Sequence, residues 1–276
     1  MFKIIISTFL KLMSLFVFGY RLFYRRNCLQ ILMYHNIGAS TKSRINISIS
    51  DFERQLRYLK RNYTVISLLD AENIINNAKK LDRNYVVLTF DDGFLDFVTN
   101  AFPLLSKYSL PATVFLCGGL IERGVNVNTF QVCEDDKRAM SVDDLIRIGN
   151  SPLIDFQAHS YSHDNFDNLL TDEVIRDTEL SNSWFNRVFN RNPIYFAFPR
   201  GRIGLNSVQL LMRYYKRVFS TSIKRYYGSD FDAVVGRIPI FDSDGRMSFH
   251  LKLCGVFDFE RRITEFVKKY VQKHCD

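Results

Sequence analysis

The feature that most constrains the fold of this chain is the stretch over residues 85–93, where a run of β-branched and aromatic residues ends in two adjacent carboxylates and a glycine. Such a run predicts a buried strand whose C-terminal end presents Asp91 and Asp92 at the rim where α/β enzymes place their chemistry. Because neighbouring residues on an extended segment point to opposite sides, the two carboxylates are expected to have different roles. Taken alone, Asp-Asp-Gly is more typical of a plain turn.

Strand-like and helix-like segments alternate along most of the chain, which indicates parallel strands with helices packed outside them. The 276 residues, 47% of them hydrophobic, suffice for one large core. Residues 118–138 have no clear period and are expected to form a long loop near the site. We expect further strands at 29–35, 64–66, 111–116, 153–158, 194–198, 217–221 and 234–240, and helices near 70–80, 95–108, 142–148, 172–189, 205–216 and 259–273.

The N-terminal segment, residues 1–27, differs from the rest of the chain in charge. Seven of the 37 basic residues and none of the 29 acidic residues precede Asp51, so most of the formal net charge of +8 lies at this end. Residues 4–20 are almost wholly apolar, but Lys11 interrupts them, and the basic residues recur on one helical face. We therefore predict a helix that lies in a membrane interface against anionic lipid, followed by one domain over residues 28–276.

The same segment predicts where the body of the chain resides. If the helix spans the membrane instead of lying on it, the arginines after its apolar part still favour a cytoplasmic body, and no small-residue cleavage site is present. An uncleaved signal anchor with the body outside the cytoplasm is the alternative. The five cysteines are widely spaced and include no Cys-x-x-Cys pair, which fits a reducing compartment.

Side chains of the types that bind metals follow three of the predicted strands: His35, the pair Asp91 and Asp92, and the pair His159 and His163. Because the C-terminal ends of parallel strands share one face, these side chains are expected to meet there. Two imidazoles and one carboxylate are typical of a catalytic zinc site with one position left for water. Histidines four residues apart are common by chance, so the prediction depends on their combination with the Asp-Asp-Gly strand.

These residues resemble the NodB-type polysaccharide deacetylases of carbohydrate esterase family 4. Residues 89–93 are similar to the first motif of that family, residues 159–163 to its second and residues 195–201 to the Phe-Ala-Tyr-Pro-x-Gly form of its third, and the resemblance runs from Leu32 to Pro239. It implies a distorted (β/α) barrel and the metal-dependent hydrolysis of an N-acetyl or other N-acyl group. The substrate would be an amino sugar of a glycan, free or lipid-linked, in the biosynthesis or modification of a cell-surface polysaccharide.

The resemblance also implies a role for each ligand-type residue. Asp91 would be the general base, and Asp92, His159 and His163 would hold a divalent metal, usually zinc. The usual family ends in a Leu-x-His motif that supplies a general acid, but nothing after Pro239 matches that motif.

A circularly permuted branch of the family takes its acid histidine from an N-terminal strand of the Met-Tyr-His kind. Residues 33–35 resemble that strand, so His35 would be the acid. The third motif lacks the arginine that orients the base in the usual family, and Arg200 or Arg237 would replace it. The oxyanion would be bound at this motif by a backbone N–H beside Pro199, Arg200 and Gly201.

Two functions of other classes remain as alternatives. A catalytically impaired relative would act as a membrane-bound scaffold or glycan-binding protein; the missing Leu-x-His motif favours it and the complete set of ligand-type residues disfavours it. A basic nucleic-acid or membrane-surface adaptor is suggested by the sequence pI near 9.2. Because the charge excess is confined to the N-terminal segment, we expect no nucleic-acid partner. The oligomeric state is not indicated by the sequence.

Overall fold

The computed structural model describes residues 27–38, 43–77, 80–124, 138–204, 206–228 and 232–255. They belong to two compact units, one of residues 27–242 and one to which residues 243–255 belong. Apart from Asn27, the predicted membrane-associating helix lies outside the described residues, and so does the predicted helix near 259–273. Among the helices within the described ranges, none has the length and apolar character needed to cross a bilayer.

The larger unit is organised around a sheet that is nearly closed into a barrel. Its order is β10-β1-β5-β6-β7-β8-β9-β11, with β4 beside β5 and β12 beside β1, and all of these pairings are parallel except β10 with β1. A separate parallel pair is formed by β2 and β3. The strands are β1 (Leu29–Tyr34), β2 (Asn36–Ile37), β3 (Asn46–Ile47), β4 (Thr64–Val65), β5 (Tyr85–Phe90), β6 (Ala112–Leu116), β7 (Ile154–Ala158), β8 (Tyr195–Ala197), β9 (Arg217–Ser220), β10 (Arg225–Tyr226), β11 (Val234–Gly236) and β12 (Ile238–Pro239).

The sheet closes where β11 passes into β12. Strand β11 pairs with β9 at one side of the sheet, and β12 pairs with β1 on the other side of the opening. The single residue between them is Arg237, whose side chain is fully buried. The sequence predicts one continuous strand over 234–240, and this prediction is wrong at Arg237 because the chain changes its partner strand there.

Alternate residues of the strands fill the barrel interior with an apolar cluster, as the period of two in a strand requires. Helix α2 adds three buried side chains to the same cluster and so covers part of the interior. The helices are α1 (Ile49–Asn62), α2 (Leu68–Asn77), α3 (Phe102–Tyr108), α4 (Gly118–Arg123), α5 (Val142–Gly149), α6 (Thr171–Phe189), α7 (Ser207–Leu211) and α8 (Arg246–Cys254). The predicted helix over 95–108 is present, but its middle, Phe97–Ala101, is a π-helical turn.

The predicted loop over 118–138 begins instead as helix α4. Its two glycines indicate a loop by composition, but the structure uses them for close packing. A Cβ atom on Gly118 would lie 2.8 Å from the Trp184 ring, and one on Gly119 would lie 2.5 Å from the carbonyl oxygen of Tyr161. The glycines therefore allow α4 to approach both helix α6 and the segment that carries the paired histidines.

Candidate active site

The two carboxylates after strand β5 have separate partners, as predicted, but a turn rather than strand alternation separates them. The backbone N–H of Asp91 donates to the carbonyl oxygen of Tyr34 at 3.0 Å, which continues the β1–β5 pairing by one residue. Asp92 then adopts a left-handed φ of 73°, and Gly93 follows with a φ of 79°. This turn directs the neighbouring carboxyl groups to different surroundings, although both are buried, with 3% and 5% of their surface exposed.

Asp91 is held by the arginine at the barrel closure. Arg237 donates from its two terminal nitrogens to the two oxygens of Asp91, at 2.6 and 2.7 Å. Arg200, the other predicted partner of the base, is exposed and lies in a turn after β8. Of the two arginines that the sequence offers for this position, the structure therefore places Arg237 against Asp91.

Asp92 meets the two histidines. Its Oδ1 lies 3.0 Å from Nε2 of His163 and 3.3 Å from Nε2 of His159, and one ligand atom from each residue lies within 4.8 Å of the others. Although Oδ1 is buried, it accepts no hydrogen bond of good geometry from any described residue. Three atoms with lone pairs thus converge on one point without satisfying one another, which is the arrangement that a divalent cation requires.

The tautomer of His159 fits the same interpretation. Its Nδ1 lies 2.8 Å from the backbone carbonyl oxygen of Ala197, an atom that can only accept a hydrogen bond. In the neutral imidazole the proton is therefore on Nδ1, and the lone pair of Nε2 points toward Asp92. Metal-binding histidines commonly donate their second ring N–H to a carbonyl or carboxylate in this way.

His35 lies at the end of β1, on the same face of the sheet as the other site residues. Its side chain is partly exposed, and its Nδ1 is buried without a hydrogen-bond partner among the described residues. The residues that follow are fixed by Asp96, which accepts hydrogen bonds from the Asn36 side chain at 3.0 Å and from the Ile37 N–H at 2.9 Å. Asn100, in the π-helical turn, donates to the Ile37 carbonyl oxygen at 2.7 Å.

The third motif forms a tight 3₁₀ turn, Pro199–Gly201. Gly201 has a φ of 65°, and a Cβ atom there would lie 1.2 Å from the Thr221 hydroxyl oxygen, so only glycine fits. Of the three predicted oxyanion residues, Pro199 has no N–H and Gly201 donates its N–H to Phe198 at 2.9 Å. The N–H of Arg200 is the one left of the three to bind an oxyanion. Arg200 has the uncommon left-handed φ of 57°.

The charges in this site shift the pKa values in opposite directions. Burial alone would raise the pKa of the Asp91 carboxyl, but the charges of Arg237, His159 and His35, with the hydrogen bonds from Arg237, together outweigh burial and lower it. The pKa of Asp92 is well below its usual range for a similar reason, with His163 opposing the effect of burial. Burial lowers the pKa of His35, against the opposing charges of Asp92 and Asp91. Burial tends to lower the pKa of His159, but Asp91 and Asp92 together raise it above the usual 6.5.

Metal binding is expected to weaken as the pH falls. Because the pKa of His159 is raised above 6.5, the metal-free ring takes up its second proton at a higher pH than an ordinary imidazole does, and a metal must displace that proton from Nε2. The apparent affinity should be constant above the raised pKa and decrease about tenfold per pH unit below it. Zinc titrations between about pH 5.5 and 8.5 would measure this, together with proton release on binding. An affinity that does not vary over this range would exclude His159 as a ligand.

Comparison with known proteins settles the family of the chain. A sequence model described as "Polysaccharide deacetylase" matches residues 78–217, which is half of the chain and includes Asp91, Asp92 and both paired histidines. The chain belongs to the polysaccharide deacetylase family. The prediction made from the three motifs is therefore confirmed for the family and for the enzyme class, a carbohydrate N-deacetylase. The assignment to a permuted branch remains a prediction.

Individual relatives of this polysaccharide deacetylase are distant. YxkH of Bacillus subtilis (strain 168), whose description also names a polysaccharide deacetylase, is 26% identical over 175 residues, which are 63% of this chain and only 57% of YxkH. The poly-beta-1,6-N-acetyl-D-glucosamine N-deacetylase of Staphylococcus aureus (strain MSSA476) is 23% identical over 80% of this chain and 82% of its own length. The solved structure of the Streptococcus pyogenes deacetylase PplD superposes with a TM-score of 0.70 at 23% identity, covering 83% of this chain and 99% of that one. The predicted distorted barrel is confirmed.

Proposed function

We propose that this deacetylase uses zinc to remove N-acetyl groups from a polymer of N-acetylglucosamine at the cell surface. The observation that carries the proposal is the convergence of Asp92, His159 and His163 beside a carboxylate that is held ionised by Arg237. Two imidazoles and one carboxylate are a donor set that catalytic zinc sites use. The polymer is suggested by the described activity of the Staphylococcus aureus relative, which matches this chain over most of its length.

In this proposal Asp92, His159 and His163 hold the metal, which when bound supplies a Lewis acid that polarises an amide carbonyl and lowers the pKa of a water. Asp91 acts as the general base. Its lowered pKa keeps it ionised near neutral pH, and Arg237 occupies only two of the roughly four lone-pair positions of a carboxylate. A further position therefore remains on Asp91 to accept the proton of the attacking water.

The other two roles concern the leaving group and the developing negative charge. His35, at the end of β1, gives a proton to the amine of the sugar as the C–N bond breaks. The N–H of Arg200 stabilises the oxyanion of the tetrahedral intermediate, a contribution of about 2.7–4 kcal/mol per donor in enzymes that use this device. The strained φ of Arg200 is consistent with a backbone held for such a contact. The products are acetate and a free amino sugar.

The proposed location and the proposed substrate depend on each other. A cytoplasmic body attached to the membrane through residues 1–27 would reach a lipid-linked amino-sugar intermediate, whereas a finished polymer would require the signal-anchored arrangement with the body outside. Labelling of an engineered surface cysteine in intact cells, compared with opened cells, would separate the two arrangements. A cysteine at Glu179 suits this test, because this side chain is exposed on helix α6 and is not a proposed site residue.

The function is tested by acetate release from β-1,6-linked N-acetylglucosamine oligomers, with β-1,4-linked oligomers and a lipid-linked amino sugar as competing substrates. We expect turnover of the β-1,6 oligomers that is lost after chelation and restored by zinc. Turnover of the lipid-linked sugar alone would replace the polymer with that substrate. Binding of oligomers without acetate release at any metal concentration would support the scaffold protein instead.

The acid and base roles can be separated by the leaving group. We expect His35→Ala and Asp91→Asn to reduce amide hydrolysis by about 10²–10⁴-fold each while zinc stays bound, since neither residue is a proposed ligand. A nitrophenyl acetate ester has a leaving group that needs no proton, so His35→Ala should retain most ester hydrolysis and Asp91→Asn should lose it. If His35→Ala loses the same fraction of activity on the amide and on the ester, His35 is not the general acid.

A further inference from the structure

The segment that carries both paired histidines is fixed by a carboxylate from another element, Asp177 of helix α6. Asp177 accepts hydrogen bonds from the backbone N–H of Tyr161 at 2.9 Å, from the backbone N–H of Ser162 at 2.8 Å and from the Ser162 hydroxyl at 2.6 Å. Its side chain is buried, with 6% of its surface exposed. Tyr161 and Ser162 lie directly between His159 and His163, so one carboxylate fixes the link between two proposed ligands.

The conformation of this segment is not one that the chain would adopt unaided. Ser160 and His163 both have left-handed φ values, 66° and 63°, which residues other than glycine rarely adopt. On the side opposite Asp177, the carbonyl oxygen of Tyr161 accepts hydrogen bonds from the Gly119 N–H at 3.0 Å and from the Cys117 thiol at 3.1 Å. The segment is thus held between α4 and α6 in a shape that brings both imidazoles to Asp92.

Because Asp177 is charged, packing alone does not explain why it is buried at this position. No lysine or arginine in the described part of the chain forms an ion pair with it, and a buried carboxylate without a cation costs stability unless its hydrogen bonds compensate. All three of its hydrogen bonds go to Tyr161 and Ser162, two of the three residues between the histidines. A neutral amide of the same shape could not reproduce them, because its NH₂ group donates and does not accept.

We propose that Asp177 is a positioning residue for the metal: by fixing Tyr161 and Ser162, it sets the affinity of the Asp92, His159 and His163 group for a divalent cation. This inference depends on the proposed metal-dependent function. Groups that orient metal ligands without touching the metal typically change affinity by about 10–100-fold when they are altered. Asp177 acts one step further out, through the backbone between two ligands, so the low end of that range is expected.

The test uses the full chain and zinc as the probe. We compare the zinc dissociation constants of wild type, Asp177→Asn and Glu179→Gln by competition with a chromophoric chelator. Glu179 is the matched control, an exposed carboxylate on the same helix. We expect Asp177→Asn to bind zinc about tenfold more weakly and Glu179→Gln to be unchanged. Excess zinc should restore the kcat of Asp177→Asn toward the wild-type value, because the ligands themselves are intact.

The outcomes distinguish this inference from the function on which it depends. If wild type binds zinc and Asp177→Asn binds it equally well, with only a lower Tm of the metal-free protein, Asp177 is structural and the inference is wrong. If wild type itself binds no zinc, the metal-dependent function fails first. If Asp177→Asn does not fold, Ser162→Ala is used instead, because it removes one hydrogen bond and keeps the carboxylate. A zinc affinity several-fold weaker than that of wild type supports the inference, and an unchanged zinc affinity overturns it.

Discussion

Asp92→Ala is expected to abolish zinc binding and to reduce acetate release at least about a thousandfold. The carboxylate is the oxygen donor of the proposed metal group, and it lies 3.0 and 3.3 Å from the two ring nitrogens that would share the ion with it. Without the metal the reaction loses a Lewis acid that contributes several kcal/mol, and each 1.36 kcal/mol corresponds to about a tenfold change in rate. Metal content and acetate release, measured on the same preparation, check this prediction.

The adjacent carboxylate provides the matched control. Asp91→Asn should retain zinc and lose turnover, because Asp91 faces Arg237 rather than the histidines. Two substitutions at neighbouring positions would then separate metal binding from catalysis. If Asp92→Ala purifies with one zinc per chain and normal activity, the proposed ligand group is wrong.

Arg237→Met is expected to have the largest effect on stability. The carboxylate of Asp91 would then be a buried charge without a partner, a change that typically costs about 3–5 kcal/mol. Burial would also raise the pKa of Asp91 once the guanidinium no longer opposes it. Asp91 must be ionised to accept a proton. As the pH is lowered, the variant should therefore lose activity at a higher pH than wild type does. Denaturant unfolding and the pH profile of kcat/KM measure the two effects.

The double variant Arg237→Met with Asp91→Asn tests the cause. It removes both charges, so most of the lost stability should return, and the coupling between the two positions can be read from a double-mutant cycle. Arg237→Lys should give an intermediate result, because an ammonium keeps the charge but cannot reproduce the paired hydrogen bonds. A loss below about 1 kcal/mol for Arg237→Met would mean that the pair is unimportant for folding.

The sequence predicts the centre of the site well because that centre depends on strand ends. A run such as residues 85–90 predicts a buried strand, and parallel topology then places the groups after each strand on one face. Asp92, His159 and His163 come together for this reason, and His35 lies at the end of β1 in the same way. Residue type and strand position predict this cluster, and the resemblance to the family assigns Asp92, rather than Asp91, to the metal.

The parts that the sequence does not predict depend on contacts between elements. Asp96 and Asp177 are ordinary helix carboxylates by pattern, since a hydrogen bond to a distant backbone N–H leaves no periodic signal. Gly118 indicates a loop by composition, and only the position of Trp184 shows why a helix needs glycine there. The interruption of the strand at Arg237 likewise follows from the closing of the sheet, which a local pattern does not contain.

The position of Arg237 at the closure also has a consequence for the order in which the enzyme matures. Asp91 precedes Arg237 by 146 residues, so during synthesis the carboxylate emerges long before its cation. The cation reaches it only when β11 and β12 pair with β9 and β1, the last strands to complete the barrel. Until then burial raises the pKa of Asp91 without the opposing guanidinium, and a protonated carboxyl is not a base. We therefore expect hydrolytic competence to be acquired together with the closure of the barrel, and nascent or partly opened chains to be inactive.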